Sequence, residues 1–147
     1  MKRLPRIAKA TAVRPYVLRV EFVSGAGHLV DVGRFVRELA VFAPLRERPG
    51  LFAEVRVGEW GADLGWGGDM ELSATTLWRL ALEQAGEAMS REEFRRWRAE
   101  HTLTLDGAAE VLGLSRRMVA YYDSGQRLIP KYVRLACRGA EQELRAR

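Results

Sequence analysis

Arg116 and Arg117 stand side by side directly after Ser115, at the head of the run RRMVAYYDSG. A guanidinium is a planar fork of donors that matches a phosphate or the edge of a guanine. Two cations at the start of a helix oppose its dipole, so the placement points to a ligand rather than to helix stability. Other chemistry-bearing residues have plainer explanations. Asp31 fits the cap of a helix beginning near Arg34, and Asp69, after Gly67-Gly68, fits a turn, so with Glu71 they make no metal or acid–base cluster. His28 and His101 have no ligand partners at a metal spacing. Ser24, His28 and Asp31 fall in one hairpin with no oxyanion site. The glycine-rich 58–68 stretch lacks the G-K-[ST] ending of a phosphate loop. Cys137 lies on an apolar helix face and reads as core. No nucleophile, base, cofactor loop or metal site emerges, and the expectation is a protein that is not an enzyme and needs no cofactor.

The elements that must position the two arginines are legible around them. Ala109, Gly113 and Val119 follow the spacing A-x3-G-x5-V within TLDGAAEVLGLSRRMVAYYDSG. A small residue lets two helices cross closely, a glycine takes the left-handed turn, and Val119 plugs the angle between them, with Ala108, Leu112, Leu114 and Tyr122 around it. That is a helix-turn-helix pattern. If Val119 and Tyr122 face inward, helical spacing turns Arg116, Arg117, Ala120 and Tyr121 outward. Upstream, Ser90 and Glu93 form a capping box for the helix REEFRRWRAEH, which buries Phe94, Trp97 and the stem of Arg98. Thr104 caps the next helix, with Asp106 complementing its positive end, and Gly125 closes the third. Pro130 opens a fourth helix through Tyr132, Val133, Ala136 and Cys137.

The first 86 residues read differently. Alternation over VLRVEF suggests one strand spanning 7–23, with Ser24 to Gly27 as a turn and HLVDV as the returning strand. Helical spacing runs from Arg34 to Val41 through Phe35, Leu39 and Phe42 until Pro44 interrupts it. Pro49-Gly50 is a turn into a strand at LFAEVRV, and a last hairpin has a strand near Asp63 to Trp66. Ser73 then caps the helix ATTLWRLALEQA, which Gly86 stops. Trp60 and Trp66 are expected to pack into this small core, an exposed protein-binding surface being the alternative. The fold class expected is α+β. A small antiparallel-sheet domain over 1–86 precedes an all-α helix-turn-helix domain over 87–147, the boundary lying at Ala85 to Ser90.

Composition agrees with that division. The chain has 147 residues and a net charge of +5, with 48% apolar and 29% charged side chains, as in folded domains. Residues 1–88 hold 12 basic and 11 acidic side chains, whereas 89–147 hold 12 and 8, so the positive excess belongs to the C-terminal part and suits a polyanion. The basic N-terminus lacks the apolar core of a secretory signal, no stretch reaches a membrane span, and one cysteine suits a reducing cytoplasm. A cytoplasmic location is expected.

From Ser90 to Cys137 the sequence resembles the lambda-repressor-like, or Cro/C1-type, helix-turn-helix family, including the ending Asp123-Ser124-Gly125. The resemblance implies an ion pair between Arg98 and Asp123 with a structural role; breaking one partner of a buried pair costs ~3–5 kcal/mol. It implies base contacts from Ser115, Arg116, Arg117, Ala120 and Tyr121. Phosphate contacts are implied at Thr104, Ser124, Gln126 and Arg127. The sequence departs from the family at Leu105, where a glutamine usually buttresses the DNA contacts. The N-terminal part resembles a small bacterial family of unknown function (number twenty-four forty-two), through Leu18, Phe22, Gly25, Val30-Asp31, Phe42, Leu45, Phe52, Val55, Trp66 and Gly68-Asp69. Its members are often linked with toxin–antitoxin gene pairs. The two resemblances together imply a sequence-specific DNA-binding regulator, a homodimeric autorepressor of antitoxin type acting on an inverted repeat in double-stranded DNA. The alternative is an interaction module that neutralises a toxin or docks a partner, with DNA binding secondary.

Overall fold

In a computed structural model, which describes residues 4–146, the chain divides into two compact units, one ending at Gln84 and the other beginning at Ala85. Lys2 and Arg3 of the basic N-terminus lie outside the described residues.

The N-terminal unit begins with an antiparallel meander of β1 (Ile7–Arg14), β2 (Val17–Phe22) and β3 (Gly27–Asp31), in the order β1-β2-β3. Residues 7–23 are therefore two strands rather than the single one expected. The chain doubles back at Pro15-Tyr16, where proline has no N–H for a ladder and Tyr16 takes a left-handed φ of 64°. The Tyr16 carbonyl accepts from Val32 N at 2.8 Å, which ties the turn to the end of β3. Alternation in β2 sends Leu18, Val20 and Phe22 into the core.

Helices α1 (Gly33–Glu38) and α2 (Ala43–Glu47) follow, joined by a 3-10 turn at Ala40–Phe42. Pro44 does not interrupt helical structure here. It occupies the first turn of α2, where its missing N–H is no loss. The strand expected at LFAEVRV is a 3-10 turn, Leu51–Glu54, and only β4 (Arg56–Val57) is extended. Gly50, at φ 89°, starts that turn, and it sends Leu51 and Phe52 into the same core from adjacent positions, where the alternation of a strand would turn them to opposite faces. β4, β5 (Asp63–Gly65) and β6 (Glu71–Ser73) form a second antiparallel sheet. The Ser73 hydroxyl accepts from Thr76 N at 3.1 Å and caps α3 (Ala74–Gln84), whose Ala74, Leu77 and Ala81 complete the core. At the end of α3 the Gln84 amide bridges the backbone N–H and carbonyl of Asp31, each at 2.8 Å.

The two tryptophans separate. Trp66 is buried, stacks on Phe52 and donates its indole N–H to the Phe52 carbonyl at 2.8 Å. Trp60, expected in the core, is 79% exposed. Its backbone sits at φ 59°, ψ 11° within the tight turn Glu59–Gly61. A Cβ on the next residue, Gly61, would meet the Ile7 carbonyl oxygen, so that glycine lies flush against β1.

Among the described residues the C-terminal unit is a cluster of four helices: α4 (Arg91–Glu100), α5 (Leu105–Leu112), α6 (Arg116–Ser124) and α7 (Lys131–Arg145). A two-residue pairing of β7 (Ala88–Met89) with β8 (Ile129–Pro130) clasps the start of α4 to the start of α7. The core collects Phe94, Trp97, Ala108, Ala109, Val119, Tyr122, Ile129, Val133 and Cys137. Tyr132 and Ala136 lie on the outer face of α7.

Candidate nucleic-acid interface

Each helix around the interface begins and ends on the residue type its geometry needs. The Thr104 hydroxyl accepts from Gly107 N at 3.0 Å to start α5, and Gly113 ends it at φ 69°. The Ser115 hydroxyl accepts from Met118 N at 3.1 Å to start α6, and Gly125 ends it at φ 80°. Between these stops α5 and α6 pack through Ala108, Ala109 and Val119, with the Tyr122 and Phe94 rings edge to face beneath them. Burial pushes the Tyr122 phenol above its usual range, and its hydrogen bond with Tyr132 adds to the shift.

With Val119 and Tyr122 inside, Arg116 and Arg117 are exposed, and Ala120 and Tyr121 are half-buried beside them. Arg117 Nε donates to the Tyr121 hydroxyl at 2.8 Å, and its guanidinium carbon lies 5.4 Å from the ring centre. Arg127, from beyond the end of α6, places its guanidinium 4.9 Å from the same ring. Two cations thus share one phenol. Arg116 Nε lies 3.2 Å from Asp106 Oδ1, with both side chains mostly exposed, so the pair contributes little and exchanges partners readily. Of the flanking positions, Thr104 and Ser115 use their oxygens as helix caps. Ser124 Oγ donates to the Tyr121 carbonyl at 3.2 Å, and Gln126 is exposed.

The far end of α6 is held rigidly. Arg98 donates from Nε at 3.1 Å and from Nη2 at 3.0 Å to Asp123 Oδ1, and from Nη1 to the Leu103 carbonyl at 3.0 Å. This pair is partly rather than fully buried, so the cost of breaking it falls below that of a sealed ion pair. Two more arginines, not singled out from the sequence, join it. Arg91 Nε and Arg95 Nε donate to the Asp123 carbonyl oxygen at 2.8 and 2.9 Å. Residues 91, 95 and 98 follow i, i+4, i+7 spacing on α4, which was the available signal. They meet the negative end of the α6 dipole, where cations are stabilising.

The remaining candidates are structural. Asp31 Oδ1 accepts from Gly33 N at 2.8 Å at the entry to α1. His28 lies edge-on to Phe22 and Trp78, and His101 Nε2 lies 3.7 Å from Glu141 Oε1. Among the described residues no group of three or more His, Cys, Asp or Glu could hold a metal ion. The buried Cys137 thiol is pushed up to about 12, by burial first and then by Glu141 and Glu93. A cleft of about 180 Å³ lined by residues of α4 and α7, including Arg96, Trp97 and Arg134, shares no residue with the α6 face. Among the described residues no helix is long and apolar enough to cross a membrane.

Known proteins are similar to this chain along two stretches. Residues 7–83 match the family model for proteins of unknown function DUF2442. Nearly the whole chain is similar to a Nitrosomonas europaea protein of known crystal structure, described as a candidate DNA-binding protein. The two are 38% identical over 96% of this chain and 90% of that one, with a TM-score of 0.57. No curated protein matches the chain.

Proposed function

The chain belongs to the DUF2442 family, and from that premise we propose that its C-terminal unit binds double-stranded DNA through α6, making the protein a sequence-specific transcriptional regulator. The observation that carries this reading is the α6 face itself. Arg117 and Arg127 flank Tyr121, and Arg116 is exposed on the same helix, whose other side packs into a core. Two guanidinium groups around one neutral phenol, with a third held by a mostly exposed carboxylate, suit a polyanion. The similarity to a protein described as a candidate DNA-binding protein supports the same reading.

In this reading α6 enters the major groove. Arg116 and Arg117, with Ser115 and Ala120 beside them, meet base edges and Tyr121 stands against Arg117, while Thr104, Ser124, Gln126 and Arg127 meet phosphates. Leu105 contributes no polar contact at the start of α5. One such unit reads only a few base pairs, so useful affinity calls for a homodimer on an inverted repeat with half-sites about 10 base pairs apart. The resemblance to lambda-repressor-like and toxin-linked families makes an antitoxin-type autorepressor the specific form of the proposal.

The test is binding of the full-length protein to its own promoter. We expect tighter binding there than to random duplex, and loss of at least about 100-fold in the Arg116→Ala/Arg117→Ala double variant, with the unfolding temperature unchanged. Equal binding to both duplexes, or a double variant that still discriminates, overturns the reading.

Trp60 supports a second role beside the first. A bulky residue in a left-handed conformation is strained, and holding a tryptophan out of a core at that expense favours a protein contact by the N-terminal unit, such as a toxin. Co-purification of the protein with the product of an adjacent gene, lost on Trp60→Ala, is the expected result; a complex indifferent to that substitution removes the role.

A further inference from the structure

A base-reading arginine must present the two terminal nitrogens of its fork, Nη1 and Nη2, toward a guanine. On an exposed helix the side chain samples many rotamers, and fixing one of them reduces affinity. Arg117 is not free in this way. Its Nε, the one guanidinium nitrogen that is not at the tip, donates to the Tyr121 hydroxyl at 2.8 Å. The bond fixes the plane of the guanidinium and leaves both tip nitrogens unspent. Tyr121 stands one helical turn beyond Arg117, so the contact is made within α6 and needs no DNA to form.

Tyr121 is itself held in place. Arg127 lies over its ring at 4.9 Å, and Arg127 N donates to the Tyr121 carbonyl at 3.4 Å, so ring and backbone are both tied to the segment after α6. Ser124 Oγ donates to the same carbonyl. We propose that Tyr121 is a positioning residue that sets sequence specificity by orienting Arg117, rather than a side chain that reads a base itself. The proposal rests on the DNA-binding reading above. It makes Arg117 the dominant reader of the arginine pair, because Arg116 is held by an exposed carboxylate that DNA must displace, whereas the partner of Arg117 is neutral and can remain in place in the complex.

Tyr121→Phe separates the possibilities, since it removes the hydroxyl and keeps the ring under Arg127. The probe is a duplex selected from a random library by the full-length protein, together with its single-base variants. Discrimination at the one base pair where Arg117→Ala relaxes specificity is expected to fall about fivefold in Tyr121→Phe. Affinity for non-specific duplex and the salt slope should stay as in wild type, and adding Tyr121→Phe to Arg117→Ala should cost nothing further. A structural role alone would not confine the loss to one base pair. Loss at a different base pair would mean that Tyr121 reads a base directly and overturns the proposal. So would unchanged discrimination in Tyr121→Phe where Arg117→Ala abolishes it. If the selection yields no preferred duplex, the DNA-binding reading itself fails and takes this one with it.

Discussion

Arginine does two different jobs within the C-terminal unit. Arg91, Arg95 and Arg98 converge on Asp123, where one carbonyl and one carboxylate at the end of α6 accept their hydrogen bonds with that helix. Arg116, Arg117 and Arg127 are held by an exposed carboxylate and a shared phenol. The first set meets fixed acceptors at the negative end of a helix; the second lies near the positive end or beyond the last turn. Residue type therefore says little about role, and the acceptor says nearly everything. An arginine whose partner is part of the scaffold fastens, whereas one whose partner is weak or mobile is available to a ligand.

The fastened side of this contrast extends into the core, and its largest expected signature is a pH effect. The Cys137 thiol is raised from its ordinary 9.0 to about 12, so the folded state keeps its proton where the unfolded chain loses it. The stability carried by the neutral thiol is fully present below pH 9 and is lost as pH rises toward the folded value. The loss is about 1.4 kcal/mol per pH unit, or about 3 kcal/mol by pH 11. Cys137→Ala removes the titrating group at a packing cost of about 1 kcal/mol, so the variant should be the less stable protein at pH 7 and the more stable one at pH 11. Urea unfolding at both pH values reads the crossover. Parallel losses in the two proteins would show that the thiol is not sealed and that the core opens more readily than its burial implies.

Arg98→Ala tests the fastening directly. The carboxylate of Asp123 is mostly buried and keeps Arg95 at 3.6 Å, so the loss of Arg98 leaves it partly compensated. A destabilisation of about 2 kcal/mol is expected, between the values for exposed and sealed pairs. Amide exchange on the full chain should report it in the C-terminal unit and leave the N-terminal unit unchanged. Arg117→Ala should change stability by less than about 0.5 kcal/mol, as an exposed substitution does. Equal effects of the two substitutions would erase the distinction between fastening and reading.

What the sequence makes legible follows from how local the cause is. Ser90, Thr104, Ser115, Gly113 and Gly125 mark helix ends because a hydroxyl reaches three residues ahead and a glycine takes a left-handed turn, both within one turn of chain. Val119 and Tyr122 face inward because the 3.6-residue period leaves them no choice. Where the cause lies elsewhere in the chain, local pattern misleads. The run LFAEVRV has the composition of a strand, but Leu51 and Phe52 both face a core assembled from β2, β3 and α3, and the chain coils to place them there. The Pro15-Tyr16 reversal is hidden because the residues on either side of it are strand formers. Trp60 and Trp66 sit in similar glycine-rich sequence. Trp66 is drawn in by Phe52, fourteen residues earlier, whereas Trp60 sits in a tight turn pressed against β1, and neither partner is encoded in the turn itself. In the candidate interface Arg116, Arg117 and Tyr121 are placed by helical period alone. Arg91 and Arg95 are not legible in this way, because the hydrogen-bond acceptor they share is a backbone carbonyl, which carries no residue type; only Arg95 also approaches the Asp123 carboxylate.

The smallest predicted effect concerns the reading side. Asp106 lies in the first turn of α5, where a carboxylate is favourable, and it also engages Arg116 at 3.2 Å. If Arg116 is held only until DNA arrives, that carboxylate competes with the DNA for it. Asp106→Asn should then strengthen binding to every duplex by about 0.5 kcal/mol, roughly twofold, and steepen the salt dependence, because one more cation is free to release a counterion. Stability should fall by only a few tenths of a kcal/mol from the weakened dipole contact. Titrations on specific and non-specific duplexes at two salt concentrations measure both terms. Weaker specific binding in Asp106→Asn would give the opposite lesson. Asp106 would then be a fixed acceptor that aims Arg116, and Arg116 would belong with the fastened arginines of α4 rather than with Arg117.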